Sequence, residues 1–326
     1  MSAFRRTGSR RALLAFCLSC LTGMVHAQVP AQPPIRILVG APAGGTTDTM
    51  ARTLAQSLGS QLGRVVVVDN RPGAGGNIAA EAVAKAAPDG NTLLMSFTSH
   101  AINASLYPRL PFDPLKDFTP LTMVSTSPSV LVAHPRVPAN TVRALIDLAK
   151  ARPGQLNFAI GAMGSSLHLA GDAFKMKAGV YIVNIPYRGT APAVQDVLAG
   201  QVELMFAAVG NVQQHIRAGK LKALGVTSAQ RSSVAPDLPT VAESGLSGYE
   251  AIAWNGLLAP TGTPKEVIAR LNTELKAVLE SPDIRQRFEA QGFASTWNTP
   301  AAYGSFLQSE VDKWAKVVKA SGAKID

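Results

Sequence analysis

The chain runs to 326 residues with a formal charge of +10, and it is 47% hydrophobic but only 16% charged. That length suits about two domains with a well-buried core, and the composition excludes a disordered chain. Two cysteines, Cys17 and Cys20, exclude a disulfide scaffold and a cysteine-built zinc site, and past residue 30 no apolar run approaches the roughly 18 residues of a spanning helix.

Residues 1–27 read as an export signal. Arg5, Arg6, Arg10 and Arg11 make a basic start, Ala12 to Val25 is apolar but too short to span, and Val25-His26-Ala27 sets up cleavage before Gln28. The expected location is the periplasm. A retained anchor, a twin-arginine signal at Ser9-Arg10-Arg11-Ala12-Leu13-Leu14, and lipidation at Cys20 are the alternatives. For the last of these, Cys17 stands where such signals want Leu. Cleavage removes four arginines and no acid, so Lys+Arg falls to 27 against 21 Asp+Glu and the mature chain carries +6 on 299 residues. Both cysteines leave with the signal, which suits an oxidising compartment. No Lys/Arg run and no basic–aromatic interleaving marks a nucleic-acid surface.

The body alternates strands and helices. Ile35 to Val39 predicts a strand. Met50, Leu54, Leu58 and Leu62 give helical spacing over 47–62. Val65 to Val68 predicts a strand buried on both faces. Ile78 to Ala87 predicts a helix stopped by Pro88-Asp89-Gly90, and Thr92 to Met95 a third strand. This order implies a parallel sheet covered by helices. Pro108, Pro111, Pro114 and Pro120 then exclude a long helix or an inner strand over 107–120. Extended runs at 121–125 and 129–134 flank Pro128, where the chain passes to a second domain. There follow a helix at 141–151, strand 156–160, helix 166–178, strand 182–186, helix 191–199, strand 202–207, helix 211–218 and strand 221–227. A strand at 253–259 returns the chain, and helices at 264–280, 282–291 and 300–321 complete it. The expectation is an α/β protein of two lobes, each a mostly parallel sheet flanked by helices. The crossings fall near 127 and 252, so 28–127 with 253–326 make one lobe and 128–252 the other.

Three strand-to-helix loops carry the chemistry. Gly40-Ala41-Pro42-Ala43-Gly44-Gly45-Thr46-Thr47-Asp48 offers glycines for close backbone approach, with Gly44 and Gly45 both expected to be required, and a helix start that attracts an anion. No lysine follows, so it is not a Walker A loop. Gly73-Ala74-Gly75-Gly76 resembles a dinucleotide fingerprint, but its sixth position is Ile78 and no strand leads directly into it. Gly161-Ala162-Met163-Gly164-Ser165-Ser166 and Pro186-Tyr187-Arg188-Gly189-Thr190 repeat the first device in the second lobe. Uncharged donors with anion affinity favour a carboxylate held between the lobes. Catalytic motifs are missing: there is no His-Glu-x-x-His, Gly-x-Ser-x-Gly or Ser-x-x-Lys. His100, His134, His168 and His215 are not paired at metal spacing. Trp254, Trp297 and Trp314 read as packing residues, with Trp254 set at the second crossing.

Through these loops the sequence resembles the periplasmic solute-binding receptors of tripartite tricarboxylate transporters, often called Bug receptors. The residues that carry the resemblance are Pro42 to Asp48, Asp69-Asn70-Arg71-Pro72-Gly73-Ala74-Gly75-Gly76-Asn77, Ser99 to Asn103 with Leu106-Tyr107, and Leu110 to Pro114 with Asp117-Phe118. Gly164 to Leu169, Pro186 to Gly189 and Gly256 to Pro260 complete them. Ala162-Met163 departs from the usual single small residue, and Asp172 stands where Glu is common. The resemblance implies a two-lobed periplasmic-binding-protein fold that closes on its ligand, with carboxylates held by loop N–H groups, hydroxyls and water. The expected ligand residues are Ala43, Gly44, Gly45, Thr46, Thr47, Asp48, Ser99, His100, Gly164, Ser165, Ser166, His168, Tyr187, Gly189 and Thr190. The expected protein is a monomer without catalytic residues, cofactor or metal. It takes a di- or tricarboxylate, an amino acid or an aromatic acid and delivers it to membrane permease subunits. A carboxylate sensor docked on a membrane signalling protein, or a periplasmic hydrolase or lyase using His168 or His100, are the alternative functions.

Overall fold

The computed structural model describes residues 33–323; the expected export signal and cleavage point and both cysteines lie outside the described residues. The first lobe starts as its hydrophobic pattern dictates. Strand β1 (Ile35–Val39) leads to helix α1 (Thr46–Leu62), strand β2 (Val66–Asn70), helix α2 (Asn77–Ala84) and strand β3 (Thr92–Phe97). β1 lies between β2 and β3, parallel to both. A further helix, α3 (Thr98–Leu106), follows β3 directly, and strand β4 (Phe118–Ser127) ends this part of the chain.

In the second lobe come β5 (Ser129–Ala133), α4 (Val142–Ala151), β6 (Asn157–Ile160), α5 (Ser166–Ala178), β7 (Val183–Pro186), α6 (Thr190–Leu198), β8 (Leu204–Ala208), α7 (Val209–Arg217) and β9 (Lys222–Val226). The chain then returns through β10 (Ala253–Pro260), α8 (Lys265–Leu279), α9 (Pro282–Ala290), β11 (Ala294–Ser295) and α10 (Pro300–Ser321). Two sheets result, ordered β11-β4-β10-β3-β1-β2 and β7-β6-β8-β5-β9.

Both sheets are mixed, with most strands running one way and a minority against them. β10 runs antiparallel between β3 and β4, and β5 runs antiparallel between β8 and β9. Apart from the short β11, which runs antiparallel to β4, each reversed strand is the one that has just arrived from the other lobe. It enters at the end where its new neighbours finish, so it must run against them.

Each sheet buries both faces. One face of the first sheet sets Ile35, Ile37 and Val39 against Met50, Leu54 and Leu58 of α1 and Leu271 and Leu275 of α8. One face of the second sets Val130 and Val132 against Val194 and Val197 of α6 and Val212 of α7. The remaining faces share one continuous core, in which Leu38, Leu94 and Trp254 of the first sheet join Leu131, Phe158 and Phe206 of the second. Helix α10 supplies Tyr303, Leu307, Trp314, Val317 and Val318 to it. Trp254 is fully buried and donates from Nε1 to Glu310, 2.8 Å away on α10. From Pro34 onward the described chain is therefore one compact unit.

Three expectations need correction. Val65 to Val68 is not buried on both faces: β2 is the edge strand, α1 covers one side, and Val65 and Val67 are 65% and 39% exposed. Pro120 does lie in an inner strand. It stands opposite Leu258 where the register shifts, so its missing N–H falls at an irregularity in the ladder. Helix α3 went unread because Thr98, His100, Ala101, Ile102, Asn103 and Leu106 are all buried, leaving no polar stripe to set the period. Among the described residues no helix is long and apolar enough to cross a membrane.

Candidate functional site

The strand registers place the three loops. Val39 ends β1 beside Asn70 and Met95, Phe97 stands opposite Asn255, and Ser127 opposite Ala253. The loop after β1 and the start of α3 thus lie at the edge where the chain leaves and re-enters the first sheet. In the second sheet Ile160 ends beside Pro186, and Ala208 stands opposite Ser129. The loops after β6 and β7 therefore lie at that sheet's crossing edge too. The crossings are tied side by side: Thr227 N–H donates to the Ser129 carbonyl and Ala251 N–H to the Thr227 carbonyl. Ligands of open α/β sheets bind at such carboxyl ends.

The first loop turns tightly. Gly45 N–H donates to the Pro42 carbonyl at 3.2 Å and Gly44 has φ +79°, the left-handed third residue of a type II turn. Asp48, 2% exposed, reaches back from the first turn of α1 and accepts Gly44 N–H at 2.8 Å. Arg52 Nε donates to the same carboxylate oxygen at 3.0 Å, and Arg52 Nη2 donates to Asn70 Oδ1. Asn70 Nδ2 in turn donates to the Ala41 carbonyl. Burial raises the Asp48 pKa, but the hydrogen bonds from Arg52, Gly44 and Asn70 and the guanidinium charge outweigh it and hold the carboxyl below its ordinary value. No side chain caps α1 at Gly45. Helix geometry leaves the N–H groups of Thr46, Thr47 and Asp48 without intrahelical acceptors.

The second loop repeats the turn. Ser165 N–H donates to the Ala162 carbonyl and Gly164 has φ +72°. Here the brace is an imidazole: His168, 2% exposed, accepts Gly164 N–H on Nδ1 at 3.0 Å. Its Nε2 lies 3.1 Å from Asp172 Oδ2 and 3.0 Å from the Asn184 amide nitrogen. Lys175 lies 2.7 Å from Asp172 Oδ1, and Asn184 donates to that oxygen. Burial raises the Asp172 pKa, but hydrogen bonds from His168, Lys175 and Asn184 hold it far below the carboxylate range. The third loop docks on the second: Tyr187 N–H donates to the Ile160 carbonyl and Gly189 N–H to the Gly161 carbonyl. A Cβ on Gly161 would come within 3.0 Å of Thr190 N.

Several expected contacts are already committed elsewhere. His100 is 6% exposed, stacked on Phe112 and edge-on to Phe118, with Nε2 2.9 Å from the Pro114 carbonyl. Burial pushes its pKa down to about 4, against a smaller upward pull from the Pro114 carbonyl, so the ring is a neutral packing group rather than a ligand contact. Ser165 caps α5, accepting His168 N–H while its hydroxyl donates to the Ala162 carbonyl. The Tyr187 hydroxyl donates to Asp196 Oδ2 at 2.7 Å; burial, then Asp196, raises its pKa to about 12. His168 and Asp48 act as braces. Of the expected set, Ala43, Gly44 and Thr46 are exposed, while Gly45, Thr47, Ser99, Gly164, Ser166, Gly189 and Thr190 are partly exposed.

The Gly73–Gly76 run is structural. Gly40 passes so close to Gly76 that a Cβ on Gly40 would fall 2.5 Å from the Gly76 Cα, and Asn103 Nδ2 donates to the Gly75 carbonyl. Reading the sequence missed Asn184 and Arg52 as partners of the braces. The i, i+4 spacings of His168–Asp172 and Asp48–Arg52 were a usable signal, but nothing local points to Asn184. Among the described residues no cluster of three or more His, Cys, Asp or Glu could hold a metal.

A family model described as the tripartite tricarboxylate transporter family receptor matches residues 50–323. The chain belongs to that receptor family. It is 42% identical over 294 residues to protein BugT of Bordetella pertussis, covering 90% of each chain. It is 36% identical to R. palustris Rpa4515 solved with adipate, with TM-score 0.72 over 89% of this chain and 97% of that one. MatC of Rhodopseudomonas palustris, solved with bound malate, is 33% identical, with TM-score 0.68 over 87% and 98%. In this receptor the second and third loops fall inside the matched segment and the first turn lies just ahead of it.

Proposed function

We propose that the chain is an exported receptor, cleaved near Ala27/Gln28, that captures a small carboxylate between lobes 28–127 plus 253–326 and 128–252. It hands that solute to membrane permease subunits and acts as a monomer without chemistry of its own. One observation carries the reading. Two matching turns, 42–45 and 162–165, stand at the crossing edges, each opening a helix whose first two N–H groups have no intrahelical acceptor, while the nearby acidic and imidazole side chains are already engaged. A carboxylate leaving water needs its oxygens hydrogen-bonded. Helix-start N–H groups supply fixed donors, and the helix dipole adds roughly 0.3–1 kcal/mol per terminus. The adipate and malate held by related receptors support the ligand class.

The test is a thermal-shift and calorimetric panel on the mature protein: adipate, malate, citrate, glutamate, nicotinate and terephthalate, with neutral sugars as controls. A true ligand at about 100 times its Kd stabilises by about 2.7 kcal/mol and returns chemically unchanged. Binding of sugars only, or turnover of the acid, overturns the reading.

A further inference from the structure

We propose that Met163 is a modification site: a peroxide oxidises its thioether to the sulfoxide, and that one added oxygen weakens solute capture in the second lobe. The effect on capture rests on the reading above.

The argument begins with the two turns. The second position of each is Ala43 in the first loop and Met163 in the second. The first lobe therefore presents a methyl group there and the second a thioether. Met163 is 58% exposed, in a chain with no cysteine beyond Cys20. Met176, 48% exposed, is the other accessible thioether among the described residues. Met50, Met95, Met123 and Met205 are buried, and the Met50 sulfur also accepts a hydrogen bond from Ser125 Oγ at 3.0 Å. Oxidation follows exposure, so a peroxide reaches positions 163 and 176 first. Of these two, Met163 is the one beside helix-start donors. The Ser165 N–H to Ala162 carbonyl bond folds the chain back, and α5 opens directly after Ser165 with the N–H groups of Ser166 and Leu167 lacking intrahelical acceptors. Met176 lies toward the other end of α5, about 15 Å along the helix axis from its start.

In the reaction a sulfur lone pair attacks one oxygen of hydrogen peroxide. The S–O bond forms as the O–O bond breaks, and the second oxygen leaves as hydroxide, which takes the proton from the transferred oxygen and becomes water. Sulfur loses two electrons and the peroxide gains them. The product exchanges a flexible apolar group for a polar one whose oxygen accepts hydrogen bonds and carries partial negative charge. A carboxylate leaving water needs donors, and the sulfoxide supplies none. Set on the turn that opens α5, its oxygen competes with the anion for the helix-start N–H groups and repels it. The side chain is already in water, so the oxidation leaves the core packed, and capture weakens in a protein that stays folded. Methionine sulfoxide reductases, one for each sulfur epimer, return the thioether.

The test compares wild type, Met163→Leu, Met176→Leu and Met163→Gln as mature proteins. Hydrogen peroxide is applied until the Met163 peptide of wild type is fully converted, as read by peptide mass spectrometry. Adipate and malate are titrated by calorimetry before and after, with melting curves as the folding control. Met163 and Met176 are expected to oxidise at least tenfold faster than the four buried methionines. Oxidised wild type and oxidised Met176→Leu are expected to bind at least fivefold more weakly than the same proteins untreated, whereas Met163→Leu changes by less than twofold. A pair of methionine sulfoxide reductases is expected to restore wild-type affinity. Met163→Gln, which carries a permanent amide oxygen, is expected to bind at least threefold more weakly than Met163→Leu without any peroxide. Three results overturn the proposal: Met163 oxidising no faster than the buried methionines, unchanged affinity in oxidised wild type, or an equal loss in Met163→Leu. Should neither acid bind untreated wild type, the capture reading falls on its own, and the peptide map still decides whether Met163 is the site of oxidation.

Discussion

The two helix-start loops make the same turn with different chemistry. In the first, a carboxylate holds the Gly44 N–H and a guanidinium holds the carboxylate. In the second, an imidazole holds the Gly164 N–H and a carboxylate holds the imidazole. The caps differ too: Gly45 leaves three N–H groups of α1 open, whereas Ser165 consumes one of those of α5. The turn geometry is thus what the two lobes share, and the brace is what each lobe varies. An anionic brace beside the proposed anion site is tolerable because Arg52 pairs with it. The imidazole brace is backed instead by Asp172 and Asn184, with Lys175 behind the carboxylate.

The largest effect expected from this comparison is at the left-handed glycine. Gly44 has φ +79° with open space around its missing Cβ, so a side chain there meets conformational strain, about 1–2 kcal/mol for an L-residue, rather than a clash. Gly45 has an ordinary φ of −74°, and a Cβ there would sit 3.1 Å from the Pro42 carbonyl. The two glycines are therefore not equally required. Gly44→Val should leave circular dichroism intact and weaken carboxylate binding more than tenfold, and Gly164→Val should match it. Gly45→Ala should cost only a few-fold. Calorimetry on the three variants checks this; a Gly45 effect larger than the Gly44 effect breaks the shared-turn account.

A smaller effect separates the braces. Asp48 has a folded pKa below its unfolded value near 3.8, so its contribution is fully present above that value and is lost only as pH falls through the lower folded one. Acidification from pH 7 to 5 therefore leaves the first brace untouched. Amide exchange at Gly44, corrected for intrinsic chemistry, should keep its protection over that range. Loss of protection at Gly44 over that range would mean that the Asp48 carboxylate does not hold the turn.

The alternation of strands and helices was legible because apolar runs and Gly/Pro punctuation are local signals. Thr46–Leu62, Ser166–Ala178 and Pro300–Ser321 fell within a residue of expectation for that reason. What was not legible depended on distant partners. Val67 looks like a core strand residue until the sheet order makes it an edge. His100 reads as a loop ligand until the proline-rich segment folds over it and brings Phe112, Pro114 and Phe118 around its ring. The loops themselves could be read, since a turn into a helix is written in adjacent residues. Their braces could be read only in part: His168 and Asp48 stand four residues from the N–H they hold, but Asn184 comes from the next strand.

The smallest effect is expected at Arg188. It is exposed, on the loop that docks beside Gly161, and it is the one cation within the three strand-to-helix loops. If the solute were held by a salt bridge, this residue would be its natural partner. Against that, an exposed guanidinium interacts through water and salt, with a screening length of about 8 Å at physiological ionic strength, and exposed ion pairs contribute only about 0–1 kcal/mol. The helix-start N–H groups, by contrast, are fixed in place by the two turns and their braces, so their interaction with an anion needs no side chain to be ordered. Arg188→Ala should therefore weaken carboxylate binding by less than about fivefold at low salt, chiefly through slower association, and the difference should shrink further in 0.5 M NaCl. The measurement is titration and stopped-flow binding of the same acid to wild type and variant at two salt concentrations. Loss of all binding in Arg188→Ala, with Gly44→Val still binding normally, would replace the backbone cradle with a salt bridge and end the comparison on which the two loops are matched.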